Sequence, residues 1–323
     1  MLPSACLTVV ALLLASVIPR GLAPAQEPRQ SDEADIRLNA RLVNLNVKVT
    51  DRGGRNLADL KREDFTVFEE GVAQEIAYFE PIVAPVNLLL LLDLSGSIGS
   101  KLDYVKRAAK KFIDSLNKDD RVAIATFTVR FRLASNFSSN RGELKDRIDR
   151  IEQASGDTAF YDATWSAFDF LRQLKQARKA IVILTDGVDS AHIKGEEGSD
   201  HPFEDLLRRA VEEDATVYPI YFDTEREVVG EGYTAAVFSQ ARRQLEALAE
   251  QTGGSYFFAS RKEDLDGVYR RVAAELHSFY SLAYVSKDAQ NDGRFRRVAV
   301  KVNRAGAVAR TRRGYYANSE SRE

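Results

Sequence analysis

Val86-Asn87-Leu88-Leu89-Leu90-Leu91-Leu92-Asp93-Leu94-Ser95-Gly96-Ser97 decides how the rest of the chain is read. The unbroken apolar run at 88–92 has the pattern of a parallel strand buried on both faces, because a strand with one wet face would alternate. It stops at a carboxylate and two hydroxyls, Asp93, Ser95 and Ser97, set at positions i, i+2 and i+4 of one tight loop. Beyond the loop, Leu102, Val105, Ala109, Phe112, Ile113 and Leu116 recur at helical spacing. The alternation then continues, with strands expected at 122–127, 180–185, 215–222 and 255–258 and a short edge strand at 131–133. Helices are expected at 140–152, 160–176, 203–213, 235–251 and 262–278. Strands alternating with helices predict an α/β fold: a doubly wound, mainly parallel, six-stranded, Rossmann-like sheet covered on both faces.

Both ends of the chain change period. Val43, Leu45, Val47 and Val49 alternate with polar residues, as in a half-buried strand. Segments 65–68 and 76–79 read as two more strands, and Pro81 and Pro85 punctuate a linker. After residue 278, Tyr280, Leu282 and Tyr284 share one face, and Val298, Val300 and Val302 share another beyond the turn Asn291-Asp292-Gly293. Segments 308–311 and 315–316 finish the pattern. Neither end has enough strands to bury a core alone. The expectation is one small β-rich module formed by 36–84 pairing with 279–318, with the α/β domain (86–278) inserted. Two separate β arms are the alternative.

Residues 7–18 form an apolar run too short to span a bilayer as a helix, followed by Ala23-Pro24-Ala25. This is the layout of a signal peptide, expected at 1–25; an n-region without Lys or Arg keeps a retained anchor as the alternative. The only cysteine, Cys6, falls inside this leader, so the exported chain relies on a packed core and not on disulfides. Export to the periplasm, the cell surface or the medium is expected, with no transmembrane span after leader removal. Lys plus Arg number 46 against 48 Asp plus Glu, a balance that argues against nucleic acid as a partner.

Thr158 lies in a loop opening a helix, and Asp186 follows the strand expected at 180–185. In an open α/β sheet the loops at the carboxyl ends of the strands converge on one crevice. Asp93, Ser95, Ser97, Thr158 and Asp186 would therefore surround one point with hard oxygen, without sulfur or imidazole. Such a set favours Mg²⁺, with Mn²⁺ or Ca²⁺ as alternatives, over zinc. Two carboxylates nearly neutralise a divalent cation, and a free coordination position would accept an acidic side chain from a protein or peptide partner.

These residues resemble the von Willebrand factor type A domain with its metal-ion-dependent adhesion site. Asp93, Ser95 and Ser97 match that family's D-x-S-x-S motif, Thr158 its threonine and Asp186 its second aspartate. Residues 248–254 resemble the family's approach to its last strand, and the flanks resemble those of bacterial von Willebrand A-related proteins. The resemblance covers about 86–278. It implies strand order 3-2-1-4-5-6 with one antiparallel edge strand, direct ligation by the hydroxyls, and aspartates acting through water. It also implies a protein-binding, adhesive role.

Asp157, His192 and His201 are candidate rim residues, set against plainer readings of Asp157 as a turn residue and of His192 as part of a solvated loop at 187–200, with His201 just after it. Asp162 is expected as a helix-start charge and Trp165 as a packing residue. Capping of the next helix is the plain alternative for Asp93 and Ser95, but it leaves Thr158 and Asp186 unexplained. No nucleophile elbow or phosphate loop occurs, so no enzyme activity is expected. A Mg²⁺-dependent phosphoester hydrolase and a structural envelope component stapled by its metal are the alternatives.

Overall fold

The computed structural model describes residues 42–80, 85–99, 101–154, 156–174, 178–227, 232–288 and 290–317. The expected leader at 1–25 and part of the linker after residue 80 lie outside the described residues. The chain enters with β1 (Leu42–Thr50), β2 (Phe65–Glu69), β3 (Val72–Gln74) and β4 (Ile76–Glu80). The α/β section follows as β5 (Val86–Asp93), α1 (Gly96–Gly99), α2 (Leu102–Ser115), β6 (Arg121–Phe127), β7 (Phe131–Ser138), α3 (Arg141–Asp149) and α4 (Phe160–Arg172). It continues with β8 (Arg178–Thr185), α5 (Phe203–Glu212), β9 (Thr216–Phe222), α6 (Ala235–Thr252), β10 (Phe257–Ala259) and α7 (Leu265–Leu276). The last strands are β11 (Phe279–Val285), β12 (Phe295–Val302), β13 (Val308–Arg310) and β14 (Gly314–Tyr316).

The central sheet has six strands in the order β10-β9-β8-β5-β6-β7. All its pairings are parallel except that of β7 with β6. Numbered from β5, this is the 3-2-1-4-5-6 order with one antiparallel edge. The run at 88–92 occupies the centre, and its pleat explains why no residue in it can be polar. Leu88, Leu90 and Leu92 enter a core shared with α2, α3 and α7; Leu89 and Leu91 enter a second core with α4, α5 and α6. Each such leucine contributes roughly 2 kcal/mol by leaving water.

Strands from the two ends of the chain share two further sheets, ordered β13-β1-β11-β4 and β14-β12-β2-β3. In the antiparallel β1–β11 pair, Leu45 stands directly opposite Leu282. Between the sheets lie Val43, Leu45, Val47, Phe65, Val67, Tyr280, Leu282 and Tyr284. Buried Glu69 accepts hydroxyl hydrogen bonds from Tyr284 (2.6 Å), Tyr315 (2.8 Å) and Ser286 (2.6 Å), which ties β2, β11 and β14 together.

The outer face of β1 meets the amino ends of the parallel strands. Lys48 pairs with Glu275 at 2.7 Å, and Asn44 donates to Asp214 at 3.0 Å. Arg310 reaches Ser255 at 2.8 Å. These contacts lie opposite the carboxyl-end edge that carries Asp93 and Asp186.

Several boundaries differ from expectation. β7 runs to Ser138, not 133; register shifts against β6 and a mixed, partly exposed composition blur its alternation. α4 ends at Arg172, and β3, only three residues long, has no legible pattern.

Candidate metal centre

Two adjacent strands deliver two carboxylates to one place. β5 and β8 pair in parallel with Leu92 opposite Leu184, so Asp93 and Thr185 end their strands side by side. Asp93 is fully buried. Its Oδ1 accepts the Ser95 N–H at 2.8 Å, and its Oδ2 accepts the Thr185 hydroxyl at 2.6 Å. The chain then turns into α1, bringing the Ser95 and Ser97 hydroxyls to 3.3 Å from each other. Asp186 is held in the same manner: Oδ1 accepts the Val188 N–H at 3.2 Å and Oδ2 the Thr224 hydroxyl at 2.7 Å. The Ser97 hydroxyl lies close enough to Asp186 to lower its pKa. Gly187 makes the exit from β8 possible, since its φ is +70° and a Cβ there would stand 2.8 Å from Leu245.

Asp93, Ser95, Ser97 and Asp186 thus gather at one place, with the two carboxylates close enough for their charges to interact. Thr158 is not bonded to any of them. Its loop reaches the same edge by two other ties: the Thr158 N–H donates to Ser190 Oγ at 2.9 Å, and the Ser190 N–H donates back to the Thr158 carbonyl at 2.8 Å. The next residue, Ala159, donates its N–H to the Thr128 carbonyl after β6 at 3.0 Å.

The electrostatics of this edge are unfavourable for the protein alone. Burial, and then the charge of Asp186, push the Asp93 carboxyl up to about 7. Burial likewise raises Asp186, against hydrogen bonds from Thr224, Ser97 and Val188 and the charge of Lys101. A divalent cation would relieve both carboxylates at once. Lys101 supplies part of that charge already. Its ammonium donates to the Ser97 carbonyl at 3.1 Å, pairs with Glu227 at 2.6 Å and lies 5.2 Å from the Phe222 ring centroid.

The donor set fits a hard cation: two buried carboxylates, each with oxygens held by N–H and O–H groups, beside neutral hydroxyls. Among the described residues no group of three or more His, Cys, Asp or Glu gathers as a metal site. Hydroxyl oxygens therefore have to make up the ligand count.

The insertion after Asp186 is tied down, which differs from the solvated loop expected at 187–200. Buried Asp189 accepts the N–H groups of Tyr161 (3.1 Å), Ala191 (3.0 Å) and Ser199 (2.9 Å). Asp157 accepts the Glu197 N–H at 2.7 Å, and His192 bonds the Tyr161 hydroxyl at 2.8 Å. His201 meets Asp162 at 2.7 Å and stacks on Trp165 with centroids 4.2 Å apart. Trp165 also packs against the core, as expected, while Asp162 anchors the insertion's end instead of only starting a helix. Thr185, Thr224, Ser190 and Lys101 are neighbours of the candidate centre that sequence reasoning misses. Only the T-D-G order around Asp186 hints at the first of them.

Known proteins resemble parts of this chain. An uncharacterized protein of Synechocystis sp. is 35% identical over 107 residues, covering 32% of this chain and 25% of that protein. The match thus spans about a quarter of that relative's length. Similar solved structures include a von Willebrand factor type A protein from Catenulispora acidiphila, at 14% identity and TM-score 0.47, over 84% of this chain and 72% of that one. Another is the pilus adhesin SpaC of Lactobacillus rhamnosus GG in its open conformation, at 10% identity and TM-score 0.48, over 81% of this chain and 48% of that one. A family model described as von Willebrand factor type A domain matches residues 88–188. That match begins inside β5 and ends just past Asp186, so this section of the chain is similar to a von Willebrand factor type A domain.

Proposed function

We propose that this protein is an exported binding module that captures a partner carboxylate through a divalent cation. Asp93, Ser95, Ser97, Thr158 and Asp186 hold the ion, with Mg²⁺ as the preferred occupant and Mn²⁺ or Ca²⁺ as substitutes. The partner is a protein or peptide with an acidic side chain. The β-rich segments 36–84 and 279–318 act as the carrier of the α/β domain (86–278), attached at the edge away from the site. The leader at 1–25 directs the chain to the periplasm, the surface or the medium. Among the described residues no helix is long and apolar enough to cross a membrane.

The observation that carries this reading is the approach of two buried carboxylates beside two serine hydroxyls at the carboxyl ends of adjacent strands. Binding is favoured over catalysis by where the hydroxyls and histidines are engaged. Ser95 and Ser97 face each other and the carboxylates, while His192, His201 and His277 bond to Tyr161, Asp162 and Asp120.

Thermal unfolding with and without Mg²⁺ tests the site. At a hundredfold excess over the dissociation constant, bound metal should stabilise the wild type by about 2.7 kcal/mol. Asp186→Asn should gain nothing. An equal gain in both proteins would place the ion elsewhere.

A further inference from the structure

A groove of about 620 Å³ opens beside the candidate centre. Its floor includes Leu94, the residue between Asp93 and Ser95, together with Phe127 and Ile151. Leu94 donates its N–H to the Phe127 carbonyl at 2.9 Å, and Thr128, also in the lining, accepts the N–H of the residue after Thr158. The groove therefore borders the start of the Ser95 loop and the segment that leads towards Thr158. Around it stand three exposed guanidinium groups, Arg132 on β7, Arg147 on α3 and Arg150 just after α3, against one carboxylate, Glu152.

Arginine elsewhere in this protein is commonly ion-paired, as in Arg172 with Glu213, Arg209 with Asp169 and Arg296 with Asp292. Among the described residues Arg132, Arg147 and Arg150 have no such partner. Two of them sit at the carboxyl end of α3, where positive charge suits the helix dipole. That role accounts for neither Arg132, which comes from a different element, nor the groove between them. Guanidinium forks match carboxylates in pairs of parallel hydrogen bonds, and the apolar floor suits side chains between the charges.

We propose that this groove seats an acidic peptide segment of the partner, with one carboxylate on the cation and further Asp or Glu side chains on Arg132, Arg147 and Arg150. The proposal rests on the cation reading for its first contact and on the groove for the others. A dense polyanion such as a sulfated polysaccharide suits the site less, because it has nothing to place on Leu94, Phe127 and Ile151 and would face Glu152.

Fluorescence anisotropy on the full chain with Mg²⁺ tests it. The probe is a labelled decapeptide of Asp and Glu alternating with Leu; its Asn/Gln counterpart and dextran sulfate serve as controls. Calorimetry with Mg²⁺ alone runs in parallel on every protein. The expected result is binding of the acidic decapeptide that weakens about tenfold in the triple variant Arg132→Gln/Arg147→Gln/Arg150→Gln, with a shallower salt dependence. Mg²⁺ affinity stays unchanged in that variant. Equal peptide binding by wild type and triple variant overturns the proposal, as does no acidic-peptide binding by a wild type that binds Mg²⁺. Preference for dextran sulfate overturns the peptide assignment. Absence of Mg²⁺ binding sinks the cation reading instead, and arginine-dependent peptide capture in chelator would then uphold the groove without it.

Discussion

The Thr185 hydroxyl donates to Asp93 Oδ2 at 2.6 Å, joining the last residues of two neighbouring parallel strands. The same hydroxyl oxygen accepts the Gly187 N–H at 2.8 Å, so one side chain braces both carboxylate loops. Thr185→Val keeps the shape and removes both bonds. We expect a stability loss of about 1–3 kcal/mol, from the buried groups left unpaired. Mg²⁺ affinity should fall about tenfold or more, as when a metal ligand loses its supporting hydrogen bond. Chemical denaturation and calorimetry check the two effects separately.

Lys101 stands close enough to Asp186 to affect its charge, and holds the Ser97 carbonyl. It is a tethered competitor of the cation. Lys101→Met should tighten Mg²⁺ binding by roughly tenfold, the order expected from removing one like charge nearby. In chelator the same variant should melt below the wild type, because Asp186 loses that compensation. Unchanged or weaker Mg²⁺ binding would show that Lys101 serves the loop and not the ion.

Ser190 is the clasp between the insertion and Thr158. Its hydroxyl donates to Glu196 at 2.8 Å while accepting from the Thr158 N–H. Ser190→Ala leaves the Thr158 N–H without its acceptor. Mg²⁺ affinity is expected to fall about tenfold, and Ser190→Thr, which keeps the hydroxyl, to restore most of it. A purely structural Ser190 would lower the melting temperature of Ser190→Ala and leave its Mg²⁺ affinity alone.

Away from the site, Asp120 bridges the start of β5 to the helix end before β11. Its Oδ1 accepts the Val86 N–H at 3.0 Å, and its Oδ2 meets the Asn117 N–H at 2.8 Å and the His277 ring at 2.7 Å. Burial pushes its pKa up, but the His277 bond and the two N–H groups outweigh that and leave it below the usual carboxylate value. A depressed folded-state pKa makes this contribution complete above about pH 4 and lost as pH falls further. Asp120→Asn should therefore cost about 2 kcal/mol at pH 7 and progressively less below pH 4. Urea unfolding across that pH range measures it, and a cost that does not change with pH would contradict the assignment.

Much of this architecture can be read from local pattern. The run 88–92 fits only a strand buried on both sides, and its leucines divide between the two helical layers. Val43, Leu45, Val47 and Val49 mark which face of β1 turns inward, because one face is wet. β3 is hidden because three residues, two of them exposed, carry no periodicity. At the candidate centre the D-x-S-x-S loop and Asp186 are legible because each directly follows an apolar run. Thr185, Thr224 and Ser190 are not, because their role comes from partners 92, 38 and 32 residues away. Sequence spacing carries no trace of such pairings.

Crystals grown with Mn²⁺ and measured at its absorption edge test the central claim most directly. The account predicts one anomalous peak within about 2.5 Å of the Ser95, Ser97 and Thr158 hydroxyl oxygens, with Asp93 and Asp186 around it. A peak elsewhere, or none at this edge in crystals saturated with Mn²⁺, would contradict it.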